Sequence, residues 1–334
     1  PLAHAESFRP RLGGDAAVLA QACAAQGGRV SLLAQLGEDP FGQRAASTLA
    51  AAGVDPTHAC FSRTLPTALL FEADGEALSY RVRTAGLQFA PEQLEPGLFQ
   101  PGDALLFASS GLCDSPLRYT HLAALTAARD AGALTCFVPC LEPALWTQPE
   151  GEAALREVTR QLLPRADIVL LTTEELEFLF GTAEMRVALF PLLRGHTQLV
   201  LLARAEGIHA FTRTNHAFWP GLSLPAPQLA AKALCCLLQK NSTPEKDITI
   251  YVSVNPESKT GMEFTGEKIQ GATSEQDTEI INYLHDLFYE FTSRRQKENL
   301  DSCKKINSQQ DFHQFGGNVN IQFNPYVPIF NIEE

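Results

Sequence analysis

The residue types that most often carry out catalysis are dispersed along this sequence. Eight cysteines occur without a Cys-x-x-Cys motif, and no two histidines lie at a metal-binding spacing. Six of the histidines have no acidic or serine partner at a recognisable spacing: His4, His58, His121, His196, His209 and His216. We therefore predict that none of these histidines is catalytic, and that the cysteines are buried thiols in a reducing, cytoplasmic compartment.

Glycines and carboxylates offer more specific possibilities. Gly13-Gly14 could let a ligand approach the backbone closely, or could form the turn that leads into a helix. Asp39 could contact a ligand hydroxyl, or could cap the helix that begins at Pro40. Glu175 could hold a metal ion, although a glutamate also suits the first turn of a helix. For Gly13-Gly14 and Asp39 we favour the structural interpretation. For Glu175 the sequence does not favour one interpretation over the other.

Strand-length apolar runs alternate with helical patterns through the first two thirds of the chain. The runs span residues 29–36, 104–109, 134–139, 168–172 and 198–203. The helical patterns span residues 15–26, 40–52, 116–131, 152–163 and 174–181. Continuous apolar character suits strands that are covered on both faces. The order predicts an α/β fold with a doubly wound, mostly parallel sheet.

One segment interrupts this alternation. Residues 67–73 and 77–83 have strand character and flank Asp74-Gly75, a strong hairpin signal. The sequence thus predicts a small antiparallel β lid that projects from the α/β core. Such a lid could cover a ligand or pair with a second subunit, so we expect a homodimer through the 67–83 hairpin.

Composition changes abruptly near residue 240. Before Lys240 the only lysine is Lys232 and the only asparagine is Asn215, whereas both residue types are frequent afterwards. We therefore predict two segments of different origin, residues 1–240 and residues 241–334. In the second segment we expect a strand at residues 248–254, a helix at 275–294 and an extended edge at 318–330, a short α+β tail that could mediate association.

The formal net charge of -12 excludes several classes of partner. An acidic protein is unsuited to bind a nucleic-acid backbone or an anionic membrane surface. The sequence has no run of about 18 apolar residues, so we expect no membrane-spanning helix. A small molecule is the expected ligand.

Several motifs, in order, resemble the ribokinase/fructokinase (PfkB) family of carbohydrate kinases. Residues 36–42 (LGEDPFG) resemble its L-G-x-D-x-F-G signature, and residues 51–55 (AAGVD) match another family element. Residues 143–146 (PALW) resemble a fructokinase segment, and Thr67-Ala68 with the hairpin resembles the family lid. Together these motifs extend over about residues 1–235. The resemblance implies a ribokinase-like fold whose first strand would precede Pro1.

This resemblance also implies an activity and a site. The family transfers a phosphoryl group from ATP to a sugar hydroxyl with the help of Mg²⁺. Carried over to this sequence, the sugar would lie near Gly13, Gly14, Asp15 and Asp39. Glu175, the glutamate of an N-x-x-E motif, would organise Mg²⁺ and contribute to cofactor binding. Glu206 and Gly207 would lie in the turn before the ATP site.

Departures from the family fall on chemically important positions. No G-A-G-D loop, which provides the catalytic base and phosphate cradle in the family, follows Gly207. Val18 stands at the position of a sugar-binding asparagine, and Thr172 replaces the asparagine of N-x-x-E. Where fructokinases have D-x-N-x-R, this chain has Val138, Cys140 and Glu142.

Three functional hypotheses follow from these departures. The leading one is a carbohydrate-kinase-like protein of impaired or absent activity that acts in binding or as a scaffold, with no catalytic residue assigned. The alternative is an active ATP-dependent, fructokinase-like sugar kinase. The third is a natural or artificial fusion of a kinase fragment with an unrelated segment.

Overall fold

The structure is a computed structural model, and it describes residues 4, 7–8, 10–73, 76–113, 115–141, 151–220, 230 and 250–253. The chain divides into two compact units, residues 1–285 and 286–334, and all described residues belong to the first. The predicted helix at 275–294, the extended edge at 318–330 and the PALW segment lie outside the described residues. A segment boundary at residue 240 stays a prediction.

Six helices form in the described part of the chain. They are α1 (Asp15–Ala25), α2 (Pro40–Ala51), α3 (Pro116–Asp130), α4 (Gly151–Leu162), α5 (Thr173–Phe180) and α6 (Met185–Arg194). A glycine follows the end of three of these helices, α2, α3 and α5. Gly53, Gly132 and Gly181 have φ values of 83°, 77° and 69°, the left-handed conformation in which glycine commonly terminates a helix.

Twelve strands form in the same part of the chain. Those of the main sheet before residue 150 are β1 (Val30–Gly37), β2 (Val54–Asp55), β3 (Ala59–Ser62), β6 (Ala104–Phe107) and β7 (Leu134–Phe137). Those after it are β8 (Ile168–Thr172), β9 (Leu199–Arg204), β10 (Gly207–Phe211), β11 (His216–Pro220) and β12 (Ile250–Ser253). A separate hairpin contains β4 (Leu69–Ala73) and β5 (Glu76–Tyr80).

Ten of these strands form one sheet, in the order β11-β10-β9-β8-β7-β6-β12-β1-β2, with β3 paired to the later residues of β1. The pairs from β9 to β2 are parallel, and within this sheet, as far as it is described, only the β9-β10-β11 edge is antiparallel. Every residue of β1, β6 and β7 is buried, as their continuous apolar sequences predict. The structure confirms the ribokinase-like, mostly parallel α/β sheet with a small antiparallel hairpin.

Strand β12 has an unexpected position. It is parallel to β1 on one side and to β6 on the other, although it lies beyond residue 240 in the sequence. The predicted strand at 248–254 is confirmed over Ile250–Ser253. Its place is inside the main sheet.

The β4–β5 hairpin, with the segment that leads into it, is the predicted lid. An N-terminal arm contacts it, because the Phe8 and Phe71 rings lie 5.0 Å apart and Arg11 forms an ion pair with Glu72. Leu78, Tyr80 and Val82 expose 45%, 56% and 81% of their surface, so one apolar side of the lid faces solvent.

Candidate functional site

The sheet places the candidate residues at its carboxyl edge. On one side of β12 the strands follow one another outward from β1 to β2. On the other side they follow one another outward from β6 to β9, so the direction of strand order reverses at β12. In open α/β sheets ligands bind in the crevice outside the carboxyl ends of the strands at such a reversal. Asp39 follows β1, Ser109 follows β6 and Glu175 follows β8, so all three belong to this edge.

Asp39 holds the β1–α2 loop together. Its Oδ1 accepts hydrogen bonds from the N–H groups of Phe41 (3.0 Å) and Gly42 (2.8 Å), which caps helix α2. Its Oδ2 accepts a bond from the N–H of Thr67 (2.6 Å), at the base of the lid. Burial opposes ionisation of Asp39, but the N–H groups of Thr67, Gly42 and Phe41 outweigh it and lower its pKa. The predicted cap is therefore present, and a sugar contact by Asp39 stays a prediction.

Two glycines of this loop are required by close packing. A Cβ atom at Gly37 would lie 2.3 Å from Asp39 Oδ2 and 2.5 Å from the Thr67 nitrogen. A Cβ atom at Gly42 would lie 2.1 Å from the Gly37 oxygen. The glycines of the LGEDPFG motif thus let strand, helix and lid approach one another.

Helix α1 brings Gly13, Gly14 and Asp15 to the same edge. The connection from α1 to β1 is short, residues 26–29, so the beginning of α1 lies near the carboxyl end of β1. Gly14 has a φ of 100°, a conformation that favours glycine, and Asp15 is fully buried at the first position of the helix. In contrast, a Cβ atom at Gly13 would meet nothing within 4 Å, so the fold does not require glycine there.

The carboxyl ends of β6 and β7 are joined to the lid. Ser109 donates its N–H to the carbonyl of Pro139 (2.9 Å), which follows β7. The buried guanidinium of Arg81, directly after β5, donates to the carbonyl of Ser110. Thr84 in turn donates its hydroxyl to the Arg81 carbonyl (2.7 Å). These bonds fix the lid over the β6 side of the edge, and sequence reasoning had not identified Arg81.

Glu175 lies at the beginning of α5 in a capping box. Its Oε2 accepts the Thr172 N–H (2.8 Å), and its own N–H donates to Thr172 Oγ1 (3.2 Å). Its Oε1 accepts the Leu141 N–H (3.3 Å) from the segment after β7. Burial raises the pKa of Glu175, and N–H groups of Thr172, Leu141 and Cys140 partly offset this effect. A buried carboxyl group with a raised pKa at the carboxyl edge of a parallel sheet is a candidate functional group.

Cys140 adopts an unusual backbone conformation at this edge. Its φ is 46°, in the left-handed region that costs most residues about 1–2 kcal/mol. Asparagine tolerates this region better than most side chains, and Cys140 stands where the D-x-N-x-R pattern has its asparagine.

Glu206 lies in the turn between β9 and β10, and Gly207 is the first residue of β10. A Cβ atom at Gly207, whose φ is 149°, would lie 2.2 Å from the Trp219 oxygen, so hairpin packing explains the glycine. The exposed Glu206 pairs with Arg204, and its carboxylate lies 3.8 Å from His209 Nε2. The hydrogen bond from its own backbone N–H is the main cause that lowers its pKa.

Two histidine clusters were not predicted from sequence. His209 Nδ1 lies 3.0 Å from His216 Nε2, and the two rings stack with Phe211 and Phe218 on the edge hairpin. His196 Nε2 lies 2.9 Å from Asp167, a carboxylate that also accepts both the N–H and the hydroxyl of Thr135. This last cluster lies where β7 and β8 begin, away from the carboxyl edge, and joins the two strands.

The described cysteines are free thiols, and two of the five are buried as predicted. Cys23 and Cys136 are buried, Cys60, Cys113 and Cys140 are half-buried, and none of these five forms a disulfide. Burial raises the pKa of Cys136 to about 12, so this thiol is not a nucleophile.

The described residues contain no group of three or more histidine, cysteine, aspartate or glutamate side chains placed to hold a metal ion. None of the helices described above has the length and apolar character needed to cross a membrane.

Comparison with known proteins gave two family matches. Residues 1–223 match the pfkB family of carbohydrate kinases, and residues 231–334 match a domain of unknown function, DUF7954. Fructokinase-1 of Zea mays is 32% identical over 230 residues, which are 67% of this chain and 70% of the relative.

Solved structures share the fold. A fructokinase from Xylella fastidiosa with bound ATP is 31% identical and has a TM-score of 0.60, covering 68% of this chain and 74% of that one. A PfkB protein from Polaromonas sp. JS666 covers 73% of this chain and 85% of that one, with 23% identity and a TM-score of 0.63.

Proposed function

This chain belongs to the pfkB family of carbohydrate kinases, and we propose that it transfers a phosphoryl group from ATP to a hydroxyl of a fructose-like sugar. One observation carries the proposal on the structural side. The Asp39 loop, the Arg81–Ser110 contact and Glu175 all belong to the carboxyl edge of one sheet, and the first two involve residues that flank the lid. The curated fructokinases at 31–32% identity favour a fructose-like substrate.

On this proposal the sugar binds on the β1 side of the edge. Gly13, Gly14 and Asp15 lie at the beginning of α1, and Asp39 follows the neighbouring strand β1. Asp39 Oδ1 already accepts two backbone N–H groups and Oδ2 accepts one, so a sugar hydroxyl would donate to the remaining lone pair of Oδ2. The lid would exclude water from the sugar.

The nucleotide and its magnesium ion would bind on the other side of β12. Mg²⁺ usually keeps several waters and takes one or two protein carboxylates together with phosphate oxygens. Glu175 fits such a role, because the three backbone N–H groups around its carboxyl group leave one of about four lone-pair sites for a ligand. For Glu206 and Gly207 the support is the family resemblance alone, since hairpin packing explains Gly207.

One observation favours a second function, sugar binding without phosphoryl transfer, in a binding or scaffold role. The sequence has no G-A-G-D loop after Gly207, and the family match ends at residue 223. In typical enzymes a general base and an anion cradle each contribute rate factors of roughly 100 or more. An active kinase would need both groups from other residues of the chain.

We also propose that the 67–83 hairpin pairs with a second copy of the chain. Its exposed Leu78, Tyr80 and Val82 provide the apolar surface that such a contact would bury. Light scattering of the full chain tests this, and replacement of Tyr80 by Glu would shift a dimer to monomers.

Phosphorus NMR of the full chain with Mg²⁺-ATP and fructose tests the kinase proposal. Fructose-dependent formation of a phosphate monoester supports it, and Glu175→Gln should then lower kcat with sugar affinity retained. Calorimetric binding of fructose without monoester formation favours the second function. If neither monoester formation nor fructose binding is observed, both proposed functions are contradicted.

A further inference from the structure

Strand β12 fills the gap between two halves of the main sheet. Its four residues, Ile250–Ser253, pair with Val30–Leu33 of β1 and with Ala104–Phe107 of β6. Within the described part of the chain, β1 and β6 do not pair with each other. The β1–β3 half and the β6–β11 half therefore form one sheet only through β12.

An empty gap at this position would be costly. Val30, Leu33, Ala104 and Phe107 are each at most 1% exposed, so the strand edges that face β12 lie inside the protein. A buried backbone N–H or C=O group without a partner costs about 1–3 kcal/mol, and a strand edge carries several such groups. Strand β12 provides partners for these groups on both sides.

The segment that fills it comes from the second family match. The pfkB match ends at residue 223, and the DUF7954 match covers residues 231–334. Residues 248–254 read ITIYVSV, a run rich in β-branched residues that suits a strand. Helix α1 also lies against β12, so the strand is packed as an internal element.

We propose that the DUF7954 segment is an intramolecular strand donor, which closes the kinase-like sheet by inserting Ile250–Ser253 between β1 and β6. The insertion has a consequence for the candidate site. Asp39 follows β1, whereas Ser109 and Glu175 follow strands on the other side of β12. The donated strand therefore sets the separation between the sugar-side and nucleotide-side residues, whether or not the protein transfers phosphate.

Hydrogen exchange of the unmodified full chain, followed by mass spectrometry, tests this role. The amides of residues 250–253 should exchange as slowly as those of β1 and β6, because a doubly paired strand opens only with its neighbours. Rapid exchange of 250–253 while β1 and β6 stay protected would overturn the proposal. Protection that disappears on dilution from dimer to monomer would also overturn it, since the donor would then be a second copy.

A pair of proline variants provides the matched control. Val252→Pro removes a ladder hydrogen bond from a central strand, so exchange in residues 30–33 and 104–107 should accelerate at least about tenfold. Lys259→Pro, six residues beyond Ser253, should leave those rates unchanged. Equal effects of the two variants, or none from Val252→Pro, would show that the strand is not integral to the sheet.

Discussion

Asp39 and Glu175 occupy equivalent places in the fold, yet the protein shifts their pKa values in opposite directions. Both are carboxylates at the beginning of a helix, at the carboxyl edge of the parallel sheet, and both accept backbone N–H groups. Asp39 is half-buried and accepts three N–H groups, which together lower its pKa. Glu175 is 8% exposed, and burial raises its pKa.

The opposite pKa shifts distinguish two kinds of carboxylate at the same edge of the sheet. The geometry around Asp39 is fully explained by the β1–α2 loop and its connection to the lid. Glu175 is a buried carboxyl group that ionises less readily than an exposed one. A nearby cation would favour its ionised form and so lower the raised pKa. The first is primarily structural, and the second is better suited to respond to a ligand.

The largest effect on stability is expected at Gly42, where the Asp39 loop has no space for a side chain. Gly42→Ala should lower the free energy of unfolding by about 3 kcal/mol, because the new Cβ would meet the Gly37 oxygen at 2.1 Å. Gly13→Ala is the matched control, with nothing within 4 Å of its Cβ and an expected change below about 0.5 kcal/mol. Urea unfolding measures both, and a similar loss in the two variants would refute the packing argument.

Removal of the Asp39 carboxylate should have the next largest effect. Asp39→Ala loses the α2 cap and the acceptor for Thr67, a combined cost of about 2 kcal/mol. The neighbouring Glu38→Ala breaks only an exposed ion pair with Arg63 and should cost under about 0.5 kcal/mol. Equal midpoints in urea for the two variants would mean that Asp39 does not hold the loop.

The opposite pKa shifts predict opposite pH dependence. The lowered pKa of Asp39 contributes stability that is present above pH 3.8, its unfolded value, and is lost as pH falls through the folded pKa. The raised pKa of Glu175 contributes stability that is present below pH 4.5 and is lost as pH rises through the folded pKa.

Unfolding free energies of the wild type, Asp39→Asn and Glu175→Gln between pH 3 and 7 test this contrast. Asp39→Asn should lose less stability than the wild type at the acid end. Glu175→Gln should lose less than the wild type as pH rises above 4.5. Curves that stay parallel to the wild type would remove the proposed difference between the two carboxylates.

The smallest effect is expected beside Glu175. Cys140→Asn should raise the free energy of unfolding by about 0.5 kcal/mol, since asparagine is better tolerated at a φ of 46°. Cys113→Asn is a control, because Cys113 is half-buried and is not among the residues with positive φ. Destabilisation by Cys140→Asn would mean that the local packing selects the thiol.

The sequence predicted most of the fold because local signals were strong. Continuous apolar runs identified β1, β6, β7, β8 and β9, each within two residues of its observed ends. Helix α6 was missed because Pro191 lies inside it, and the β10–β11 hairpin because its turn, residues 212–215, lacks the Asn-Gly or Asp-Gly pair.

The candidate site was less accessible to sequence reasoning, because its contacts join distant residues. The LGEDPFG motif identified Asp39, but its bond to Thr67 spans 28 residues. Arg81 binds the Ser110 carbonyl 29 residues away, with no motif to mark it. The position of β12 could not be deduced either, because apolar character predicts a strand without naming its neighbours.

Thermal unfolding of the full chain with Mg²⁺-ATP and fructose, separately and together, tests the central claim that this edge is a kinase site. A ligand at about 100 times its dissociation constant adds roughly 2.7 kcal/mol, which raises the midpoint by several degrees. The account predicts such a rise with fructose and a further rise when Mg²⁺-ATP is added. An unchanged midpoint with both ligands at millimolar concentration would contradict it.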